Sequence, residues 1–168
     1  MLRLYCRQRN VNAAPLLNSV AAALAEARLE AVLIGNAAAA LQGAPVTTLD
    51  FDFMFRATPA NLAKLKRFAA RLEAVILRPY YPVSALFRVV NDDHGLQVDF
   101  MAAIHGVKSF NALRSRATAI PLGPHRLWVA DLADIIASKR AAGRQRDKAV
   151  LEVLEKTLRE KKAPRKQA

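Results

Sequence analysis

The sequence predicts an α+β domain built on one mixed β-sheet flanked by helices, with further helices at the C-terminal end. Three observations carry that expectation. Short apolar runs of strand length alternate with Ala- and Leu-rich stretches of helical pattern along the chain. Two pairs of strand-like runs, 85–90 with 96–101 and 117–121 with 125–129, are joined by loops of hairpin length, which a purely parallel, doubly wound sheet would not contain. Helical patterning then closes the chain from Asp131 onward. With 168 residues the natural count is a single domain over 1–162, followed by a basic tail over 163–168.

The elements follow in order. Residues 13–29 read as an amphipathic helix with Asn12 as its N-cap. Ala31–Ile34 is apolar and short, a strand running into Gly35-Asn36 and then an Ala-rich helix to Gln42. Gly43 and Pro45 end that helix and lead to a strand over 49–55. Thr58-Pro59 opens a helix to about Leu72, because Thr caps and Pro fits the first turn. A strand over 74–78, the first hairpin around Asn91–Gly95, a short helix near 109–115 and the second hairpin around Leu122-Gly123-Pro124 follow. Asp131 caps the next helix, with Asp134 in a box-like position; Gly143 ends it, and a last helix covers 145–161. Trp128 and the phenylalanines follow the core pattern.

The chemistry concentrates at Leu49-Asp50-Phe51-Asp52-Phe53. A strand alternates its side chains, so Asp50 and Asp52 leave one face and Phe51 and Phe53 the other. Two neighbouring carboxylates on a buried strand repel each other and lose hydration, which calls for a cation between them. Hard oxygen donors suit Mg²⁺. Asp99, in the apolar run Leu96–Met101, completes the group if the two strands are neighbours. Upstream, strand, tight turn and helix N-terminus meet at Gly35-Asn36, where exposed backbone amides favour phosphate.

Composition narrows the partners. A net charge of +12 at a pI near 10.6 attracts phosphates, whether of a nucleotide or of nucleic acid. Basic residues cluster at Lys139–Lys148 and again in the tail. No apolar run approaches the ~20 residues of a membrane span. The N-terminal run is too short for a signal peptide, so cytoplasm is the expected location. Cys6 is the single cysteine, which excludes an intramolecular disulfide and a cysteine-rich zinc site. His94, His105 and His125 lack metal-ligand spacing.

The string IGNAAAALQGAPVTTLDFDF resembles the signature of the polymerase-β-type nucleotidyltransferase superfamily: a Gly turn, a short helix, acid-hydrophobic-acid, and a third acid on a later strand. The nearer likeness is to small bacterial minimal nucleotidyltransferases and AbiEii-like toxin nucleotidyltransferases. Thr48 stands two residues before the first Asp, as in their pattern. The segment from Ala130 through Lys139, Arg144 and Asp147 is also similar to theirs, so the likeness spans residues 30–155. Asn36 stands where the family prefers Gly or Ser, and Val46 where related sequences often carry Arg.

The resemblance implies a nucleotidyltransferase-like fold and an enzyme that moves a nucleoside monophosphate from an NTP to a hydroxyl, releasing pyrophosphate. It assigns Asp50, Asp52 and Asp99 as catalytic and metal-binding, with two Mg²⁺ ions. It assigns Gly35, Asn36, Thr48, Lys139 and Arg144 to the nucleotide, with Arg144 pairing either a phosphate or Asp147. The acceptor it implies is RNA, such as a tRNA end, or a protein hydroxyl, in a toxin–antitoxin setting with an antitoxin-like partner. A cationic small molecule fits least, because no extra acidic domain is evident. The alternative is a catalytically degenerate module of the same fold that binds nucleic acid or a protein partner.

Overall fold

The computed structural model describes residues 5–6, 11–12, 14–48 and 50–163. Leu49 and the tail beyond Ala163 lie outside the described residues. In chain order the elements are β1 (Tyr5–Cys6), β2 (Val11–Asn12), α1 (Ala14–Ala27), β3 (Ala31–Ile34), α2 (Gly35–Leu41), β4 (Phe51–Phe55), α3 (Pro59–Arg71), β5 (Val75–Leu77), β6 (Phe87–Asn91), β7 (Leu96–Met101), α4 (Phe110–Arg116), β8 (Thr118–Leu122), β9 (His125–Val129), α5 (Leu132–Ala142) and α6 (Gln145–Lys162). β1 and β2 pair with each other alone, and the other seven strands form one sheet in the order β5-β6-β7-β4-β3-β9-β8. The pairs β4/β7 and β3/β9 are parallel and the rest antiparallel, so the mixed sheet and both hairpins stand as expected.

Local chemistry places the helices. Thr58 Oγ1 accepts from Asn61 N at 3.2 Å, and Pro59 follows it in the first turn of α3. Ser109 caps α4 by accepting from Ala112 N at 3.1 Å. Asp131 caps α5 by accepting from Ala133 N at 2.8 Å. Gly143 stops α5 at φ 62°, a left-handed cap whose N–H donates to Lys139 O. α1 buries Leu17, Val20, Ala21, Leu24 and Ala27, a stripe at helical spacing.

The sheet's two faces have different jobs. Phe53 on β4 and Phe100 on β7 are register partners, and their rings stack with centroids 5.4 Å apart. Phe68 of α3 meets Phe100 edge-on at 5.2 Å, so α3 covers this aromatic face. Phe53, Phe55, Phe68 and Phe100 are fully buried within one cluster reaching from Leu17 in α1 to Leu154 in α6. By alternation the residues between them, Asp52 and Asp99, leave the opposite face.

Asn12 lies in β2, its backbone paired opposite Tyr5; its side chain, expected as the cap of α1, lies outside the described residues. Two local expectations change. Asn91 ends β6 instead of opening the hairpin loop. Its side chain is buried and donates to Leu72 O and Glu73 O, both at 3.1 Å, tying the end of α3 to the sheet. Asp134 does not close a capping box, because both its oxygens accept from Arg116 at 2.9 Å.

Candidate functional site

The site forms where β4 and β7 run side by side. Parallel pairing sets Asp52 directly opposite Asp99, and antiparallel pairing sets Ile34, the last residue of β3, opposite Asp52 from the other side. The chain turns at Gly35 straight from β3 into α2, so the turn lies against the acids. One carboxylate oxygen each from Asp50, Asp52 and Asp99 lies within 4.8 Å of the other two. Among the described residues this is the one His, Cys, Asp or Glu group arranged to hold a metal ion.

Gly35 is required twice over. Its φ is +68°, in the left-handed region that glycine enters without penalty. A Cβ built there would lie 2.8 Å from Asp52 Oδ2. The missing side chain is therefore the space that lets the second acid reach its place.

Crowding three acids into this space shows in the proton affinity of Asp50 and Asp52. Burial, then repulsion from Asp50 and Asp99, pushes the Asp52 carboxyl up to about 7. Burial, then Asp99, raises Asp50 as well. Basic groups oppose this: Lys139 and Arg146 act on Asp52, and Arg88 and Arg146 on Asp50. Gln97 Nε2 also donates to Asp50 Oδ2 at 2.9 Å. A hard divalent cation fits an all-oxygen donor set of this spacing, whose members resist ionising together without one.

Arg88 on β6 is register partner of Asp99 across the first hairpin and forks onto it, Nε to Oδ1 and Nη2 to Oδ2, both at 2.8 Å. Arg88 and Arg146 were not among the residues singled out from sequence. For Arg88 the loop boundary hid it. A loop over 91–95, as expected from sequence, pairs Val90 with Leu96 and sets Phe87 opposite Asp99; because Asn91 belongs to β6, the pairing shifts by one residue and Arg88 faces Asp99.

The remaining expected residues divide. Asn36 Nδ2 donates to Thr47 O at 3.1 Å, while its Oδ1 is buried with no partner among the described residues. Thr48 is buried, and its hydroxyl proton is committed to Asp50 O, so it braces the approach to the acid strand. Lys139 on α5 ion-pairs with Asp147 on α6 at 3.2 Å, and both side chains are largely buried. Asp147 Oδ2 has no hydrogen-bond partner among the described residues. The expected Arg144–Asp147 pair is not formed. Arg144 is the exposed N-cap residue of α6, and Lys139 reaches Asp147 from the neighbouring helix instead.

Lys139→Gln separates the two roles of that lysine. Gln retains a donor for Asp147 but not the charge. Nucleotide binding is expected to weaken about tenfold, the worth of one hydrogen bond to a charged group, and the melting temperature to fall as well, because the buried Asp147 carboxylate loses its counter-charge. An unchanged nucleotide Kd in a titration would leave Lys139 as a purely structural ion pair.

The fold is nucleotidyltransferase-like, as the solved structures it superposes on show. Among solved structures, the antibiotic-resistance factor ANT(2'')-Ia, determined in solution, superposes with a TM-score of 0.59 at 13% identity, covering 86% of this chain and 83% of that one. Its crystal structure in complex with adenylyl-2''-tobramycin gives 0.59 at 15% identity over 90% and 92% of the two chains. TM1012 of Thermotoga maritima, assigned as a nucleotidyltransferase, gives 0.57 at 18% identity over 87% and 92%. At these identities the likeness is one of fold. No protein-family model matches the chain, and no curated protein matches it in sequence.

Proposed function

We propose that the protein is a Mg²⁺-dependent nucleotidyltransferase that transfers a nucleoside monophosphate from an NTP to a hydroxyl and releases pyrophosphate. The observation that carries this reading is the convergence of three carboxylate oxygens within 4.8 Å in front of the Gly35 turn. A pure phosphate binder gains nothing from clustered negative charge, which repels its ligand.

Each residue then has a task. Asp50, Asp52 and Asp99 would hold the magnesium, two ions in the full reading. Bound magnesium supplies charge stabilisation for the attacking and departing oxygens of an in-line displacement at the α-phosphorus. Asp99 also takes the proton of the attacking hydroxyl. The backbone of Gly35 and Asn36 receives the phosphates, while Thr48 braces the strand beneath. Lys139 and Arg146, which already act on Asp52, offset the charge of the triphosphate, and exposed Arg144 stands at the rim of the same helix pair.

The acceptor this reading favours is RNA, with a tRNA end as one form of it. One neighbour carries an adenylylated aminoglycoside, a polyamine sugar. A chain of net charge +12 repels such a polycation and attracts a polyanion. The resemblance of residues 30–155 to toxin nucleotidyltransferases adds a toxin role and an antitoxin-like partner protein. Among the described residues no helix is long and apolar enough to cross a membrane. A protein hydroxyl remains the second acceptor class.

A binding module without chemistry is the rival, favoured by the Arg88 fork on Asp99 and by the Asn36 amide held on Thr47. Incubation with each α-labelled NTP, Mg²⁺, total RNA and total protein separates the readings. Label is expected in RNA, with transfer falling steeply as salt rises. Label in protein would move the acceptor. No label anywhere, with RNA binding intact in EDTA, would leave the binding module.

A further inference from the structure

The three acids do not stand in equal surroundings. Asp99 lies in a row across the sheet, between Asp52 on β4 and Arg88 on β6. Both of its oxygens accept from Arg88, and its side chain is only 6% exposed. Asp50 and Asp52 have no such cation bonded to them among the described residues. Gln97 is the hydrogen-bonding side chain on Asp50; Arg88 and Arg146 act on Asp50, and Lys139 and Arg146 on Asp52, only through space. An internal cation is therefore bonded to one ligand alone of a three-acid site, on the β6 side of Asp99.

We propose that Arg88 is a positioning residue that makes metal uptake depend on nucleotide. The proposal rests on the nucleotidyltransferase reading above and concerns the regulation of that same site. The guanidinium balances the charge of Asp99 and draws its carboxylate toward β6, and its fixed positive charge opposes a divalent ion at the neighbouring oxygens. The empty site is thereby a weak trap for metal. A nucleotide triphosphate brings its own negative charge, which outweighs Arg88, so ion and nucleotide enter together. Each oxygen of Asp99 keeps a second lone pair, so Arg88 need not leave for Asp99 to ligate.

The test reads binding, not turnover. Mn²⁺ replaces Mg²⁺, and free Mn²⁺ is followed by electron paramagnetic resonance with and without a non-hydrolysable ATP analogue. Arg88→Gln is expected to bind Mn²⁺ alone about tenfold more tightly than the wild type, and to lose most of the enhancement that nucleotide gives. Arg88→Lys, which keeps the charge and loses the fork, should stay near the wild type. Unchanged or weaker Mn²⁺ binding in Arg88→Gln overturns the proposal, since Arg88 would then be a scaffold that ligation needs.

Should Arg88→Gln fail to fold, the wild type provides a second readout. The Arg88 Nε–H resonance, held on Asp99 Oδ1, should shift on addition of Mg²⁺ with the nucleotide analogue and much less with the same Mg²⁺ alone. Equal shifts from Mg²⁺ alone overturn the idea. Wild-type protein that binds neither Mn²⁺ nor nucleotide would instead remove the underlying enzymatic reading.

Discussion

Asp52→Asn is expected to reduce nucleotidyl transfer by at least about 10²–10³-fold while making the metal-free protein more stable at neutral pH. The two effects share one cause. Asp52 is half-buried beside Asp50 and Asp99, and desolvation followed by repulsion from Asp50 and Asp99 makes its negative charge costly until a cation arrives. Its carboxyl titrates near 7 in the folded protein, against 3.8 for an ordinary aspartate. Below about pH 4 the group carries its proton in both folded and unfolded chains and contributes nothing. As pH rises beyond that, the unfolded chain releases the proton first. Stability therefore falls until about pH 7, where the native carboxyl has ionised too. The full shift corresponds to up to ~4 kcal/mol. Asn keeps the shape and cannot ionise, so it escapes that loss and also loses the metal ligand. Thermal melts in EDTA at pH 5 and pH 8 test the stability half. The wild type should melt lower at pH 8, and Asp52→Asn should narrow the gap. Added Mg²⁺ should raise the wild-type melting temperature more at pH 8 than at pH 5, because the metal takes the ionised ligand. Full transfer activity in Asp52→Asn would remove the metal role of the residue.

Gly35→Ala should cost the site its metal by displacing a ligand from outside. The backbone at φ +68° charges alanine roughly 1–2 kcal/mol for a left-handed conformation. The new methyl would also stand 2.8 Å from Asp52 Oδ2, far inside contact distance. The atom it meets is the end of a side chain, so the side chain swings aside and the fold persists. Gly143→Ala is the matched control. Its φ is +62°, and its Cβ would come no closer than 3.9 Å, to Arg140 O, so it pays the backbone cost alone. Both variants should lose similar stability in EDTA. Only Gly35→Ala should lose Mn²⁺ binding, by at least about tenfold. Equal Mn²⁺ affinity in the two would show that the turn is needed for its conformation and not for the space it leaves.

The reach of the sequence differs between elements and contacts. Caps and breakers act within one turn of chain, so Thr58, Ser109, Asp131 and Gly143 mark their helices wherever the rest of the protein lies. Alternation is equally local, and it sets Asp50 and Asp52 on one face before any fold is known. Asn91 went otherwise because distant backbone decided it, at the end of α3.

The sequence by itself determined the order of strands and helices from α1 onward, the turn at Gly35 and the three acids as a candidate set. Only the tertiary structure decided that β4 and β7 are parallel neighbours in the register that faces Asp52 with Asp99, that Arg88 rather than a free face lies beyond Asp99, and that Lys139 rather than Arg144 takes Asp147. The physical reason is range. Propensity, capping and alternation are settled by residues a few positions apart. Convergence of charges depends on which strands and helices become neighbours, and that is fixed by burial of the Phe53, Phe68 and Phe100 face, brought together from three separate stretches of chain.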